Sequence, residues 1–358
     1  MEADLENFKD KTLQEDLDII AYSKIPFEKM RYSSVLITGA TGFIGVSLVR
    51  TLLYINIKKN TSIKVFALVR NKSKAKHIYK DLIKRSDLEL IIGDITERVD
   101  VRQSIDYIFH CASITASKTM IDQPVKTLMT AILGTKNILD LAVSKKITSF
   151  VYISSMEMYG SFSNLNQIVC ENDLGYINPL KVRSNYPESK RLCENMCIAY
   201  LSEYNVPVKI ARLAQTFGAG ILPGENRVFA QFARSVINGE NIVLHTKGNS
   251  DGNYCYIRDA VMGLFIILLK GKNGEAYNVS NQDTHTTIAN MAKMVCERFS
   301  NGKGKIIFDI SDNDIFGYAT DTKMELCSDK LQSLGWIPKV GLEEAYERLI
   351  ESMKSEEE

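Results

Sequence analysis

The chain has little of what metal and disulfide sites require. It contains only four histidines among 358 residues, at positions 77, 110, 245 and 285, and they are scattered without a ligand-like partner at useful spacing. Its seven cysteines include no C-x-x-C pair. We therefore expect no metal site, and we expect core thiols in a reducing, cytoplasmic setting.

Net charge is almost absent as well. The chain has 44 basic and 43 acidic residues, interspersed, for a formal charge of +1, so electrostatics gives no argument for a nucleic-acid or membrane partner. The amino terminus has no signal-peptide pattern and no apolar run long enough to cross a bilayer. Because 45% of the residues are hydrophobic, we expect a soluble globular protein with an ample core.

A glycine-rich segment follows the first β-type run. Residues 35–45 are VLITGATGFIG, in which Gly39, Gly42 and Gly45 come at three-residue spacing and a helical pattern begins. A pyrophosphate needs close backbone approach and free N–H groups at a positive helix end, and glycine permits both. The spacing differs from the common G-x-G-x-x-G, so by itself it is also typical of a plain turn with packing glycines.

A second pattern places Tyr186 and Lys190 four residues apart, on one face of a predicted helix. The ammonium group would stabilise a phenolate and lower the pKa of Tyr186 from its usual ~10, which would make the tyrosine a usable base. Ser184 would be the N-cap, and Pro187 would fall in the first turn. Such a pair alone is also ordinary surface chemistry. Upstream, however, the apolar run 150–155 ends in hydroxyls, where a parallel sheet presents its ligand-facing edge.

Together these motifs resemble the extended short-chain dehydrogenase/reductase superfamily, in its NAD-dependent epimerase/dehydratase (sugar-nucleotide) branch. The matching segments are TGATGFIG at 38–45, SMEMYG at 155–160, YPESK at 186–190 and LGWIP at 334–338. The resemblance implies an α/β fold, a Rossmann-type doubly wound parallel sheet with a smaller C-terminal α/β substrate lobe.

The patterning along the chain agrees with that organisation. Residues 1–33 predict an N-terminal helical extension. Strand-like runs then alternate with helical stretches, as in βαβ units. We expect an NAD(P)-binding domain over 34–217 that carries the catalytic residues, and a substrate-binding lobe over 218–353 interleaved with returning strands. The strand-like runs are 64–69, 88–92, 107–112 and 150–153.

By resemblance, the cofactor contacts fall at the ends of successive strands. Where the second strand ends, an acidic side chain usually accepts from the ribose hydroxyls, whereas this chain has Arg70. An arginine there can hold a 2′-phosphate, which favours NADP over NAD, the alternative being a solvated basic turn. The predicted cofactor-binding residues are Gly39, Thr41, Gly42, Phe43, Ile44, Gly45, Arg70, Asp94, Ile95, Cys111, Ala112, Ser113, Tyr186 and Lys190.

The resemblance also implies the chemistry. Tyr186 would take the proton of a sugar C4 hydroxyl, Lys190 would tune it and bind the nicotinamide ribose, and Ser155 would hold the substrate oxygen. The C4 ketone then acidifies C5 or lets a C5 carboxylate leave as carbon dioxide. These three residues are the first members of the predicted catalytic set.

The residues after Ser155 select the outcome. Family dehydratases have an Asp-Glu pair there. This chain has Met156 in place of the Asp, so it lacks the acid that 4,6-dehydration needs. Glu157 resembles the corresponding residue of UDP-glucuronate decarboxylases and completes the predicted catalytic set. Alternatively, its carboxylate is simply satisfied by a local helix N-terminus or by Arg183.

The predicted substrate contacts depart from the family pattern. Relatives often have an arginine before the aromatic strand that here is NYCYI, and this chain has Asp251 and Gly252 instead. Gln215 stands where the family commonly has a phosphate-binding asparagine, and the arginine expected around 317–322 is not evident. The candidates to replace the missing charges are Arg227, Arg258 and Lys323, each of which is alternatively a solvated charge.

The sequence therefore predicts an NAD(P)-dependent enzyme that modifies a nucleotide sugar, with a UDP-hexuronate decarboxylase or epimerase as the most specific reading. An NADPH-dependent reductase of a keto-sugar or phosphosugar is the alternative, favoured by Arg70. A non-catalytic dinucleotide-sensing protein is a remote third, because such a protein would not need the Ser, Tyr and Lys together.

We also expect a homodimer, by analogy with the family's four-helix interface. Apolar stripes on two predicted helices would supply it, although they could instead face only the sheet. The stripe residues are Ile132, Leu133, Asn137, Ile138, Leu139, Ala142, Met196, Tyr200 and Leu201.

Overall fold

A seven-stranded parallel sheet forms the centre of the protein, in the order β11-β7-β5-β4-β1-β2-β3. The computed structural model describes residues 9–162, 167–310 and 323–357. The strands of this sheet are β1 (Ser34–Thr38), β2 (Lys64–Val69), β3 (Leu88–Ile92), β4 (Tyr107–His110), β5 (Ser149–Ser155), β7 (Val208–Leu213) and β11 (Ala276–Val279). Short strands elsewhere are β6 (Ile168–Val169), β8 (Gln215–Phe217), β9 (Ile242–Leu244), β10 (Asp251–Tyr256), β12 (Asn281–Thr287), β13 (Ile306–Phe308) and β14 (Glu325–Leu326).

Helices connect these strands. They are α1 (Lys11–Ala21), α2 (Phe43–Lys59), α3 (Lys72–Tyr79), α4 (Ser117–Asp122), α5 (Pro124–Lys145), α6 (Asn185–Tyr204), α7 (Val228–Asn238), α8 (Ile257–Lys270), α9 (Ile288–Phe299), α10 (Asp329–Gln332) and α11 (Leu342–Glu357). Four 3₁₀ turns cover Phe27–Met30, Lys80–Lys84, Met156–Tyr159 and Val182–Ser184.

Successive side chains of each strand point to opposite faces of the sheet, so the core is divided between the two faces. In β1, Val35 and Ile37 pack toward α2 and α8, whereas Leu36 packs toward α5 and α6. All three side chains are fully buried, as expected for strands covered on both sides. The predicted doubly wound parallel sheet is confirmed.

The strand order reverses between β1 and β4. From this point the chain adds β2 and β3 on one side, and β5, β7 and β11 on the other. In open parallel sheets, ligands bind outside the carboxyl ends of the strands at such a reversal. The loops after β1 and β4 are therefore the expected cofactor crevice.

The second lobe consists of small sheets beside this edge. β10 pairs parallel with β8 and antiparallel with β12, β9 pairs with β13, and β6 pairs with β14. β11 returns to the large sheet beside β7, in line with the predicted interleaving. The boundaries of the two predicted domains remain a proposal.

The predicted N-terminal extension contains α1, followed by the turn Phe27–Met30. Asp10 caps α1 by accepting from the Leu13 N–H at 3.0 Å, and Leu17 and Ile20 are buried against the main core. Residues 1–8 of the predicted extension lie outside the described residues.

All seven cysteines are free thiols. Across the described ranges, no three side chains of the metal-ligating types His, Cys, Asp and Glu gather in one place. No helix in those ranges has the length and apolar character that a membrane crossing requires.

Candidate active site

The glycine turn leaves a cradle at the start of α2. Gly39 has a φ of +62°, and a Cβ there would come within 2.8 Å of the Ala112 Cα. A Cβ on Gly45 would come within 2.8 Å of the Ala40 Cα, and Gly42 is the residue from which α2 begins. A larger residue at either position would collide with this backbone, so the glycines allow the tight turn that leads into α2. The turn fits a dinucleotide pyrophosphate, because the first N–H groups of a helix have no intrahelical acceptor and the helix N-terminus favours an anion. Thr41, Phe43 and Ile44 lie in the same turn and first helical residues.

The turn after β4 lies against this cradle. The Ala112 N–H donates to the Thr38 Oγ1 at 3.1 Å, and that oxygen is 2.8 Å from the His110 Nδ1. Burial lowers the pKa of His110 to about 3, so the ring is neutral and joins β1 to β4. Cys111, Ala112 and Ser113 thus lie where the sequence predicts them, along the β1/β4 crevice. Sequence reasoning missed His110, although its place at the end of a predicted strand was a usable signal.

Arg70 and Asp94 follow β2 and β3. Their side chains are 3.9 Å apart, and 61% of the Arg70 side chain is exposed. The hydrogen bond from the Thr96 N–H, at 2.9 Å, lowers the pKa of Asp94. Ile95 is buried in the core beneath. The structure therefore brings Arg70 next to a carboxylate and leaves most of its surface open.

Ser155 ends β5 and begins the turn Met156–Tyr159 that carries Glu157. Its Oγ accepts from the Glu157 N–H at 3.2 Å and lies close enough to Tyr186, in the first turn of α6, to lower the pKa of that phenol. The structure thus brings together three of the four predicted catalytic side chains around one point. Their catalytic roles remain predictions.

Tyr186 is buried, and this burial raises the pKa of its phenol above the ordinary value. The negative charge of Glu157 raises it further, whereas the Ser155 hydroxyl lowers it. The pKa of Tyr186 is therefore raised overall rather than lowered, and the tuning of this phenol by Lys190 stays a prediction. Desolvation of the phenolate outweighs the favourable contacts.

Lys190 points past the phenol. Its Nζ donates to the Ile153 carbonyl at 2.7 Å and lies 5.7 Å from the centre of the Tyr186 ring and 4.9 Å from that of Tyr152. Burial lowers the pKa of Lys190 to about 8. The two residues share a helix face as predicted, but their polar atoms have different partners.

The start of α6 differs in one detail from the prediction. Ser184 is at the N-cap position, but its hydroxyl donates to the Asn178 carbonyl at 2.6 Å and does not cap the helix. Pro187 lies in the first turn, as predicted, where no intrahelical N–H bond is lost.

Glu157 forms an ion pair with Arg183, whose Nη2 is 2.9 Å and 3.2 Å from the two carboxylate oxygens. The Glu157 side chain is 28% exposed and that of Arg183 is 19% exposed. The alternative partner named from the sequence is therefore present, in the same site as Tyr186 rather than apart from it.

A buried network behind Ser155 was not predicted. Glu194, one turn after Lys190 on α6, accepts from the Ser154 hydroxyl at 2.5 Å and from Arg212 at 2.7 Å. Arg191 donates to the Met158 carbonyl at 2.6 Å. The sequence around these residues gave no signal of the pairings, because the pairings depend on how α6 packs on β5 and β7.

The predicted substrate residues separate in the structure. Gln215 pairs with Tyr254 in the β8–β10 register. Arg227 pairs with Glu225 at 2.6 Å and is close enough to lower the pKa of Tyr186. Met156 is buried beside Gly252, whose added Cβ would lie 3.4 Å from the methionine Cε.

Arg258 does not reach this site. It is 6% exposed, and its Nη1 lies 3.3 Å from Asp16 of α1. Arg348 of α11 pairs with the same carboxylate at 2.8 Å. The prediction that Arg258 contacts substrate is corrected, because its charge is buried under the N-terminal extension. The region 317–322, where an arginine was expected, lies outside the described residues.

A family model described as "NAD dependent epimerase/dehydratase family" matches residues 35–280. UDP-glucuronic acid decarboxylase 1 of Xenopus tropicalis is 30% identical over 323 residues, 90% of this chain and 72% of the relative. UDP-glucuronic acid decarboxylase 6 of Arabidopsis thaliana is 29% identical over 322 residues, 89% of this chain and 88% of the relative.

A solved structure shares the fold. The UDP-glucuronic acid 4-epimerase of Bacillus cereus, in complex with UDP-glucuronic acid and NAD, superposes with a TM-score of 0.73 at 22% identity, covering 90% of this chain and 99% of that one. The predicted resemblance and enzyme class are confirmed. The chain belongs to the NAD-dependent epimerase/dehydratase family.

Proposed function

We propose that the protein oxidises the C4 hydroxyl of a nucleotide sugar with NAD or NADP, and decarboxylates or epimerises a UDP-hexuronate. The observation that carries this proposal is Glu157, a carboxylate in the same site as Ser155 and Tyr186 with Met156 beside it. The decarboxylase relatives, and the fold shared with an epimerase bound to UDP-glucuronic acid, support a UDP-hexuronate as the substrate.

In the first step, Ser155 would hold the sugar O4 while Tyr186 takes its proton. Tyr186 is a neutral phenol in the observed arrangement, so positive charge must favour its ionisation, and Arg183 and Arg227 already act in that direction. A bound nicotinamide cofactor would accept the hydride from C4, and its cationic ring would add further positive charge. The glycine cradle and the turn Cys111–Ser113 would hold that cofactor.

Glu157 would act in the second step. Once C4 is a ketone, either the C5 proton becomes acidic or a C5 carboxylate can leave as carbon dioxide with its bonding electrons drawn toward the ketone. Glu157, paired with Arg183, would then remove or return a proton at C5. Hydride returned from the reduced cofactor to C4 would restore the hydroxyl and the oxidised cofactor. Met156 cannot protonate a departing hydroxyl, which supports the prediction against 4,6-dehydration.

The test is the Glu157→Gln variant with UDP-glucuronate. The wild type should release carbon dioxide, detected by mass spectrometry and NMR, without net reduction of the cofactor; formation of the 4-epimer would instead indicate an epimerase, whose chemistry at C4 needs no group at C5. The variant should retain oxidation at C4 and accumulate reduced-nicotinamide absorbance with a 4-keto sugar. Glu203→Gln, at an exposed site on the same α6 helix that carries Tyr186, is the matched control.

The alternative functions give different results in that assay. A reductase would consume NADPH in proportion to a keto-sugar or phosphosugar supplied, and Arg70 is the observation that favours it. A dinucleotide-sensing protein would bind the cofactor with no turnover of any sugar nucleotide. Wild-type behaviour of Glu157→Gln would remove Glu157 from the mechanism.

The finer assignments also remain proposals. The exposed Arg70 supports a preference for NADP, although Asp94, 3.9 Å away, competes with a 2′-phosphate for the guanidinium group. The free thiols of all seven cysteines support a reducing, cytoplasmic location.

We also propose a homodimer, which the predicted stripes support in part. Ile138, Leu139 and Ala142 are buried within the protomer, but the other six stripe residues are only partly buried. Exposed apolar side chains elsewhere on α5 and α6 support an interface, because isolated monomers rarely expose contiguous apolar surface. They are Val125, Met129, Leu192 and Ile198, which are 70%, 42%, 46% and 37% exposed. Light scattering at micromolar concentration should give a dimer mass, and a monomer mass would remove the proposal.

A further inference from the structure

Arg183 occupies the turn Val182–Ser184 immediately before α6. Its Nη2 donates to Glu157, and its guanidinium carbon lies 5.8 Å from the centre of the Tyr186 ring. It therefore contacts the group proposed to act at C5 and lies beside the group proposed to act at O4. From the sequence, Arg183 had no predicted role other than as a counter-ion of Glu157.

Its hydrogen bonds set it apart from the other arginines around the site. Arg191 uses Nε and Nη2 on backbone carbonyls, and Arg212 uses Nε, Nη1 and Nη2. Arg227 uses Nε and Nη2 on Glu225. The Nε of Arg183 is buried and has no acceptor within the described part of the chain.

A buried cationic donor without an acceptor is costly, and charge-assisted bonds to carboxylates are the usual way to satisfy it. Glu157 takes only the Nη2 protons of Arg183. The guanidinium group thus has donors left for a second carboxylate, and that carboxylate is not provided by a described residue. The carboxylate of a substrate bound beside Tyr186 would supply such an acceptor.

We propose that Arg183 binds the carboxylate of a hexuronate substrate through the protons that Glu157 leaves unused, and so selects a hexuronate over the neutral hexose. The inference rests on the proposed function, which places Glu157 near C5, the carbon that bears this carboxylate. The contact forms in the ground-state complex, so it is measurable as binding without turnover.

The experiment measures selectivity in an inactive background. Calorimetric titrations of Tyr186→Phe, with saturating NAD, would compare UDP-glucuronate with UDP-glucose, which lacks the carboxylate. We expect UDP-glucuronate to bind at least ~10-fold more tightly, the effect of a charge-assisted hydrogen bond. Adding Arg183→Met should abolish this ratio while changing UDP-glucose affinity less than about threefold, and Arg183→Lys should restore part of it.

Lys181→Met is the matched control, because Lys181 is an exposed cation two residues away and its loss should preserve the ratio. Equal weakening of both sugars by Arg183→Met would overturn the inference and leave Arg183 only as a residue that positions Glu157. Equal loss of selectivity in Lys181→Met would overturn it in favour of general electrostatics. If Tyr186→Phe bound both sugars with equal affinity, the role of Arg183 would be wrong but the proposed function would stand. If it bound neither sugar, the proposed function would be wrong too.

Discussion

The Ser154 hydroxyl donates a 2.5 Å hydrogen bond to Glu194, and this bond joins the strand that ends in Ser155 to the helix that carries Tyr186 and Lys190. Glu194 also binds Arg212 of β7 through a buried ion pair at 2.7 Å. One carboxylate thereby joins β5, α6 and β7. Such a network can hold reacting groups in place only while all its members are satisfied.

We expect Glu194→Ala to lower the free energy of unfolding by ~3–5 kcal/mol, because it leaves the Arg212 charge buried and unpaired. Ser154→Ala removes a single donor and should cost ~1 kcal/mol. Glu297→Ala, in an exposed pair with Lys293 at 3.9 Å, should cost at most ~0.5 kcal/mol. Urea unfolding of the three variants checks the order. A Glu194→Ala cost no larger than that of Glu297→Ala would show that the pair is solvated in solution.

Tyr186→Phe should reduce turnover by ~10²- to 10⁴-fold, the usual contribution of a proton-transfer group. The ring remains to fill its buried site, so thermal unfolding and cofactor binding should change little. Tyr204→Phe is a control on the same helix, because Tyr204 is 48% exposed. Near-normal turnover of the Tyr186 variant, measured on the identified substrate, would remove this residue from the catalytic assignment.

Arg70→Asp should shift cofactor preference from NADP toward NAD by ~1–3 kcal/mol, the range of a charge-assisted hydrogen bond to phosphate. Fluorescence titration with each cofactor measures the shift. Lys76→Asp makes the same charge change at an exposed position of α3 and should leave the preference nearly unchanged. Equal affinities of the wild type for NAD and NADP would show that Arg70 is only solvated.

Local patterns were sufficient for much of the fold. β2 and β3 have the predicted limits, 64–69 and 88–92, because each apolar run stops where polar turn residues begin. The glycine cradle was also predictable, since Gly39 takes a positive φ and Gly45 abuts the backbone of Ala40. These features depend on a few consecutive residues and on the steric size of one side chain.

The partners of buried charges were not predictable in this way. Arg258 pairs with Asp16, which is 242 positions away in sequence, and only the packing of α1 on α8 brings them together. Lys190 is on the predicted face of α6, yet the close approach of β5 offers it the Ile153 carbonyl. Tertiary packing, which the spacing of residues does not specify, decides which acceptor a buried cation reaches.

Lys190 also makes the stability of the folded protein depend on pH. Burial lowers its pKa from 10.5 to about 8. Below pH 8 both the folded and the unfolded chain carry the charge, and the folded state bears the full cost of desolvating it. Between pH 8 and 10.5 the unfolded chain binds more protons than the folded one, so this group's contribution to stability rises with pH.

Lys190→Met should therefore be more stable than the wild type at pH 7, despite the lost hydrogen bond to Ile153. The advantage should shrink as the pH rises from about 8 toward 10.5, because the wild-type side chain then loses its charge in the folded state. Denaturant unfolding of both proteins across this range measures the difference, with Lys136→Met as the exposed control. A stability difference that does not change with pH would contradict the lowered pKa and imply that the Lys190 ammonium is fully compensated where it lies.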